Sequence, residues 1–154
     1  MTNSLGIGLL GSGWITRAHG HAIHTIGHMA PLARPVRLVA LAARNRDRGE
    51  AMARELGVDR FSTDWADVVN DPKVDIVATL LGASAHVEPT EAALSLGKPV
   101  LCEKPLGADR FEARRLMDAA ARAAVPAVCG FNYRYVPAMR LARQLVENGA
   151  LGDA

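Results

Sequence analysis

An apolar run of strand length, Leu5–Leu10, meets a segment of helical period, residues 14–28, across the turn Gly11-Ser12-Gly13. Few architectures accept a strand that passes through glycines straight into a helix. Two glycine frames overlap at this junction. Gly6-x-Gly8-x-x-Gly11 has almost no chain ahead of it to form a strand. Gly11-x-Gly13-x-x-Thr16 follows a strand and opens a helix, the context in which such a turn receives a diphosphate. In that frame Gly11 permits the tight turn and Gly13 leaves room for close approach. Ser12 lies between them, and the amides around Trp14 and Ile15 face the phosphate charge at the helix N-terminus. Thr16 stands where a smaller residue usually lets helix and strand pack closely, which predicts a slightly wider contact there.

Further along, apolar runs of strand length alternate with helical segments. Val36–Ala42 reads as a strand and residues 46–56 as a helix stopped by Gly57. A short strand near residues 58–61 precedes a short helix over 65–70, which ends at Asp71-Pro72. Residues 74–81, apolar except for Asp75 and Thr79 and bounded by turn residues, predict the central strand. A helix over 89–96 closes at Gly97, and Val100–Cys102 is the next strand. Asp109-Arg110-Phe111-Glu112 has the form of a capping box opening a helix to residue 124. A sixth strand over 125–129 and a last helix over 138–147 complete the series. The alternation of strands, apolar on both faces, with helices predicts an α/β fold. It is a Rossmann-type doubly wound parallel sheet of about six strands. Residues 1–135 are assigned to this dinucleotide-binding domain, and 136–154 to a final helix and the start of a linker.

Bulk properties agree. At 154 residues there is chain for one domain with a proper core, and 49% hydrophobic against 22% charged residues is ordinary globular composition. A net charge of +2, with no basic run interleaved with aromatics, gives no footprint for nucleic acid. Cys102 and Cys129 lack metal-ligand spacing and read as reduced thiols. No basic leader precedes the first apolar run, and no stretch has the roughly 18 apolar residues of a membrane span. A cytoplasmic protein without membrane contact is expected.

The cofactor of such a fold has its adenosine ribose read at the end of the second strand, by a carboxylate where NAD is preferred. Here the strand runs into Ala43 and Arg44, with no carboxylate beside them. An arginine so placed pairs with a 2′-phosphate. NADP(H) is therefore the preferred cofactor and NAD(H) the alternative; the plainer reading of Arg44 is a solvated surface side chain.

With these residues in view, the chain resembles the glucose–fructose oxidoreductase / myo-inositol dehydrogenase / MocA-like family over nearly its whole length. The resemblance rests on Gly11-Ser12-Gly13-Trp14-Ile15 with Ala18-His19, and on Gly130-Phe131-Asn132-Tyr133-Arg134-Tyr135. Its most specific part is the run from Gly97 to Leu106, which holds Glu103-Lys104-Pro105. The resemblance implies that Lys104 is catalytic, beside the nicotinamide and hydrogen-bonded to the reacting hydroxyl or carbonyl. It implies that Glu103 contacts the nicotinamide ribose; an ordinary exposed Glu-Lys pair is the alternative. Relatives carry Thr-Pro-Asn-x-x-His after the fourth strand, where this chain has Leu81-Gly82-Ala83-Ser84-Ala85-His86. Only the histidine is kept, so His86 either lies near the cofactor or caps the next helix. Asn132 and Arg134 either approach the nicotinamide or anchor their loop.

The resemblance further implies an NAD(P)-dependent oxidoreductase acting on a sugar, polyol or related hydroxyl compound. The substrate domain that follows in relatives is absent from these residues, so the chain is expected to be catalytically incomplete. A stand-alone nucleotide-binding module, regulator or redox sensor, is the alternative. Apolar surface left by a missing partner domain predicts a homo-oligomer. His21, His24 and His28 share one helix face, but without a carboxylate or cysteine near them in sequence no metal site is assigned.

Overall fold

The structure, a computed structural model, describes residues 4–152. Asp153 and Ala154, the end of the expected linker segment, lie outside the described residues. Six parallel strands form one sheet: β1 (Leu5–Leu10), β2 (Val36–Ala42), β3 (Arg60–Ser62), β4 (Ile76–Thr79), β5 (Val100–Cys102) and β6 (Ala127–Cys129). Their spatial order is β3-β2-β1-β4-β5-β6, so the winding reverses between β1 and β4. Among the described residues six α-helices connect and follow them: α1 (Trp14–Met29), α2 (Arg46–Glu55), α3 (Trp65–Val69), α4 (Val87–Ser95), α5 (Arg110–Arg122) and α6 (Pro137–Glu147).

The strands are apolar on both sides because both sides are covered. Ile7, Leu9, Leu38 and Leu41 pack with Met52 and Leu56 of the α2 segment and with Ile15 and Ile23 of α1. Leu10, Val39, Val77 and Val100 pack with Val68 and Val69 of α3, Ala93 of α4 and Ala119 of α5. The overlapping glycine frames separate cleanly here. Gly6 and Gly8 lie inside β1, where their missing side chains admit neighbours. A Cβ on Gly6 would meet the Lys73 carbonyl oxygen at 1.9 Å, and one on Gly8 would meet Val68 Cγ1 at 2.6 Å.

Element ends differ from expectation where local chemistry intervenes. Gly57 takes a positive φ of 59°, and the amide of Val58 donates to the Ala53 carbonyl. This C-terminal cap of α2 uses up the residues expected to begin β3. The buried ends of the 74–81 run leave the ladder: Val74 donates to Asp71 in a turn, and the chain departs after Thr79. α4 begins at Val87, ahead of Pro89, because first-turn amides need no intrahelical acceptor and proline is tolerated there. Asp109 accepts from the amides of Phe111 and Glu112, as a capping residue should. Glu112 reaches back to the Ala108 amide, one residue short of a full capping box. β6 starts after Pro126, not at residue 125. None of the residues of α6 is buried, and it rests on the short 3-10 turn Asn132–Tyr135.

Gly6→Ala is expected to lower thermal stability by about 1–3 kcal/mol or more, since backbone cannot yield as a side chain would. Gly27→Ala, on open space in α1, should raise it by up to ~1 kcal/mol. Thermal melts of the two variants beside the parent check both directions.

Candidate cofactor site

The winding reversal brings the loop after β1 against the loop after β4, and the two touch through backbone. Gly11 has φ 122°, donates its amide to Ala42, and would carry a Cβ only 2.5 Å from the Leu80 carbonyl oxygen. Leu80 in turn donates to Leu10. Ligands of open α/β sheets bind at such a reversal, beyond the carboxyl ends of the strands.

Gly13 differs in kind. It is the N-cap of α1, with an ordinary φ of −83°, and no atom lies within 4 Å of where its Cβ would stand. Nothing inside the protein requires a glycine there. The helix start has no side-chain cap and no acidic residue in its first turn. Its N-terminal amides at Trp14 and Ile15 are therefore left for a ligand, in the positive field of a 16-residue helix. Ser12 is half-buried and Trp14 is 74% exposed at this rim, whereas Ile15 turns inward onto the core. Thr16 is fully buried, its Oγ1 3.2 Å from where a Cβ on Gly11 would stand, and Gly20 brings α1 close to the end of α2, where its Cβ would meet Leu56 Cδ1 at 2.6 Å. The turn thus fits a diphosphate.

Beyond it a cavity of about 410 Å³ opens at the ends of β2 and β4, lined by Ala43, Arg44, Thr63, Trp65, Leu81 and Gly82 among others. Arg44 is exposed at its edge, while the neighbouring Asn45 caps α2 by accepting from the Arg48 amide. Thr63 and Trp65 were not marked in the sequence. Their signal is positional, since the loop after β3 also ends at the carboxyl edge of the sheet.

At the other end of the cleft the register of β5 with β6 sets Cys102 beside Cys129 and so Glu103 beside Gly130. Lys104 is exposed, and the Lys104-Pro105 peptide is cis. Glu103 goes against the alternative of an exposed pair: it is 6% exposed, with His19 Nε2 at 2.9 Å from Oε1 and the Lys104 amide donating to Oε2 at 3.0 Å. His86 goes against the helix-capping alternative. It stands at the N-cap of α4 without capping it, and has no exposed surface to offer a ligand. Its Nε2 lies 2.9 Å from the Leu81 carbonyl oxygen and its Nδ1 3.1 Å from that of Pro105, so the ring sits between the loops after β4 and β5 and donates to one of the two in either neutral tautomer. Asn132 and Arg134 are exposed in the 3-10 turn that follows Gly130.

His19 enters the sequence reading through the resemblance, with no role of its own assigned. Its spacing carries the missed signal, because Ile15, His19 and Ile23 recur every four residues along the inward face. The other helix histidines separate: His24 Nε2 lies 2.9 Å from the Leu56 carbonyl and His21 Nε2 3.7 Å from Glu55. Among the described residues no three His, Cys, Asp or Glu side chains come together as metal ligands, and no helix is long and apolar enough to cross a membrane.

Residues 5–131 match the family GFO_IDH_MocA, described as "Oxidoreductase family, NAD-binding Rossmann fold". The chain belongs to this family. It is 34% identical over 152 residues to levoglucosan dehydrogenase of Pseudarthrobacter phenanthrenivorans, covering 97% of this chain and 38% of that protein. It is also 34% identical to inositol 2-dehydrogenase of Gluconacetobacter diazotrophicus, covering 97% and 43%. The structure of a levoglucosan dehydrogenase in complex with NADH and levoglucosan superposes with a TM-score of 0.92 at 30% identity, over 97% of this chain and 41% of that one. An oxidoreductase domain protein from Kribbella flavida gives 0.89 at 39% identity, over 97% and 40%. The chain thus spans about two fifths of the length of these relatives.

The thiol of Cys102 is buried, and desolvation pushes its pKa from 9.0 up to about 11. The folded chain therefore holds that proton in a range where the unfolded chain has lost it. Stability is expected to be unaffected by this group below pH 9 and to fall as pH rises from there to about 11. Thermal melts across that window should show the decline, and Cys102→Val should flatten it.

Proposed function

We propose that this chain holds the nicotinamide cofactor of an oxidoreductase that acts on a sugar, polyol or related hydroxyl compound. The single observation that carries the reading is Gly13, a glycine the protein itself does not need, at the uncapped start of α1. Trp14 and Ile15 would present their amides to the diphosphate, with Gly11 holding the turn and Gly13 and Ser12 leaving it space. When bound, the cofactor supplies a nicotinamide ring that accepts or donates hydride. Lys104, exposed past the end of β5, hydrogen-bonds the substrate oxygen and takes or returns its proton at Nζ. Glu103 lies below it on the nicotinamide-ribose side, and Asn132 and Arg134 border the same end. Levoglucosan and inositol dehydrogenases among the relatives support a polyhydroxylated substrate. Mere nucleotide binding does not call for Lys104, which favours the enzyme over the stand-alone module.

The adenosine end supports a preference for NADP(H) over NAD(H). Ala43 stands where a carboxylate would accept from the ribose, and the exposed Arg44 lies at the cavity edge, able to pair with a 2′-phosphate. The free cysteines suit a cytoplasmic protein, and the bare apolar residues around α6 suit self-association.

Fluorescence titration with NADPH and NADH tests the reading. Wild-type protein should bind both, NADPH more tightly. Gly13→Val should keep the melting temperature and abolish binding of either. Failure of the parent to bind any nicotinamide nucleotide at millimolar concentration overturns the proposal. Arg44→Ala should weaken NADPH about ten- to a hundredfold and leave NADH unchanged, the loss of one charged hydrogen bond; tighter NADH binding by the parent would refute the preference.

A further inference from the structure

The carboxylate of Glu103 is buried, and a buried carboxylate stays inside only while its oxygens have partners. Its partners come from three parts of the chain. His19 Nε2 donates to Oε1 from the inward face of α1, at 2.9 Å. The Lys104 amide donates to Oε2 at 3.0 Å. Gly130, past the end of β6, supplies the room, since a Cβ there would stand 2.7 Å from Oε1. The second bond fixes the direction in which the backbone leaves Glu103, and so where Lys104 begins. One residue further, His86 Nδ1 lies 3.1 Å from the Pro105 carbonyl oxygen. The segment is therefore gripped on both flanks by imidazoles, and the Lys104 side chain is its exposed product.

Resting on the cofactor reading above, we infer that His19 is a positioning residue that aims Lys104 through the carboxylate of Glu103. Without the imidazole, Oε1 loses its partner inside the protein, and the carboxylate turns to water rather than remain buried and unpaired. The Lys104 amide then loses its acceptor, and the lysine loses its fixed origin. The turn at Gly11-Ser12-Gly13 keeps its own supports on Ala42 and Leu80, neither of which touches Glu103 or His19 in these bonds. The effect is therefore confined to the nicotinamide end.

The test uses the full chain with His19→Ala, His19→Gln and Gly130→Ala, after thermal melts identify the variants that fold. Amide hydrogen exchange at Lys104, measured without nucleotide, is expected to quicken about tenfold in His19→Ala, as for loss of one charge-assisted bond. Gly130→Ala, which displaces Glu103 without touching His19, should do the same. His19→Gln, whose side-chain amide can donate to Oε1, should restore the slow rate. In titrations, His19→Ala should weaken NADH about tenfold and leave ADP-ribose, which lacks the nicotinamide, unchanged. Unaltered exchange at Lys104 in both His19→Ala and Gly130→Ala overturns the inference, as does equal weakening of NADH and ADP-ribose. Wild-type protein that binds neither nucleotide overturns the cofactor reading instead, and the exchange rates then decide the positioning by themselves.

Discussion

The loops after β1 and β4 meet with no side chain between them, and the cleft exists because of that contact. Gly11 must turn through a positive φ and lie against the Leu80 carbonyl, a geometry that a Cβ would prevent twice over. Once this approach is made, α1 starts at the carboxyl edge of the sheet with its first amides free, and the cavity bounded by Arg44 opens beside it. The neighbouring glycine, Gly13, has the opposite logic. One glycine is required by the fold and the other is not, two residues apart in the same turn.

Much of the architecture was legible because parallel strands buried on both faces announce themselves as continuous apolar runs. β1, β2 and β5 have the expected bounds. Periodicity is blind to caps and turns that draw on neighbouring residues. The cap of α2 at Gly57 and Val58 delays β3, and the turn at Asp71–Val74 shortens β4, although Val74 and Leu80 are as buried as any strand residue. Burial and ladder membership are separate properties, and hydrophobicity reports only the first.

Position was legible where it depends on backbone context, as at Gly11, whose tight turn takes a positive φ, and Gly13 at the start of α1. It was illegible where the role depends on a partner far along the chain. His19 and Glu103 are 84 residues apart in the chain, and only the fold brings the inward face of α1 to the segment after β5. His86 was expected to serve a ligand or a helix end; its two nitrogens face carbonyls of two loops, one of them 19 residues on. Glu103-Lys104 read alone looks like a solvated pair, and it is the glycine at 130 that lets the acid turn inward while the lysine stays out.

The way α1 is fastened has its own outcome for how this region can change. Of sixteen residues only Thr16 and Gly20 are buried, both in the first half. Past the contact of Gly20 and His24 with Leu56 the helix runs nearly bare, through Ile26 and His28 to Met29. Anchorage is thus concentrated beside the phosphate turn and fades with distance from it. Substitutions can therefore accumulate at the far end, around His28 and Met29, without disturbing the near one.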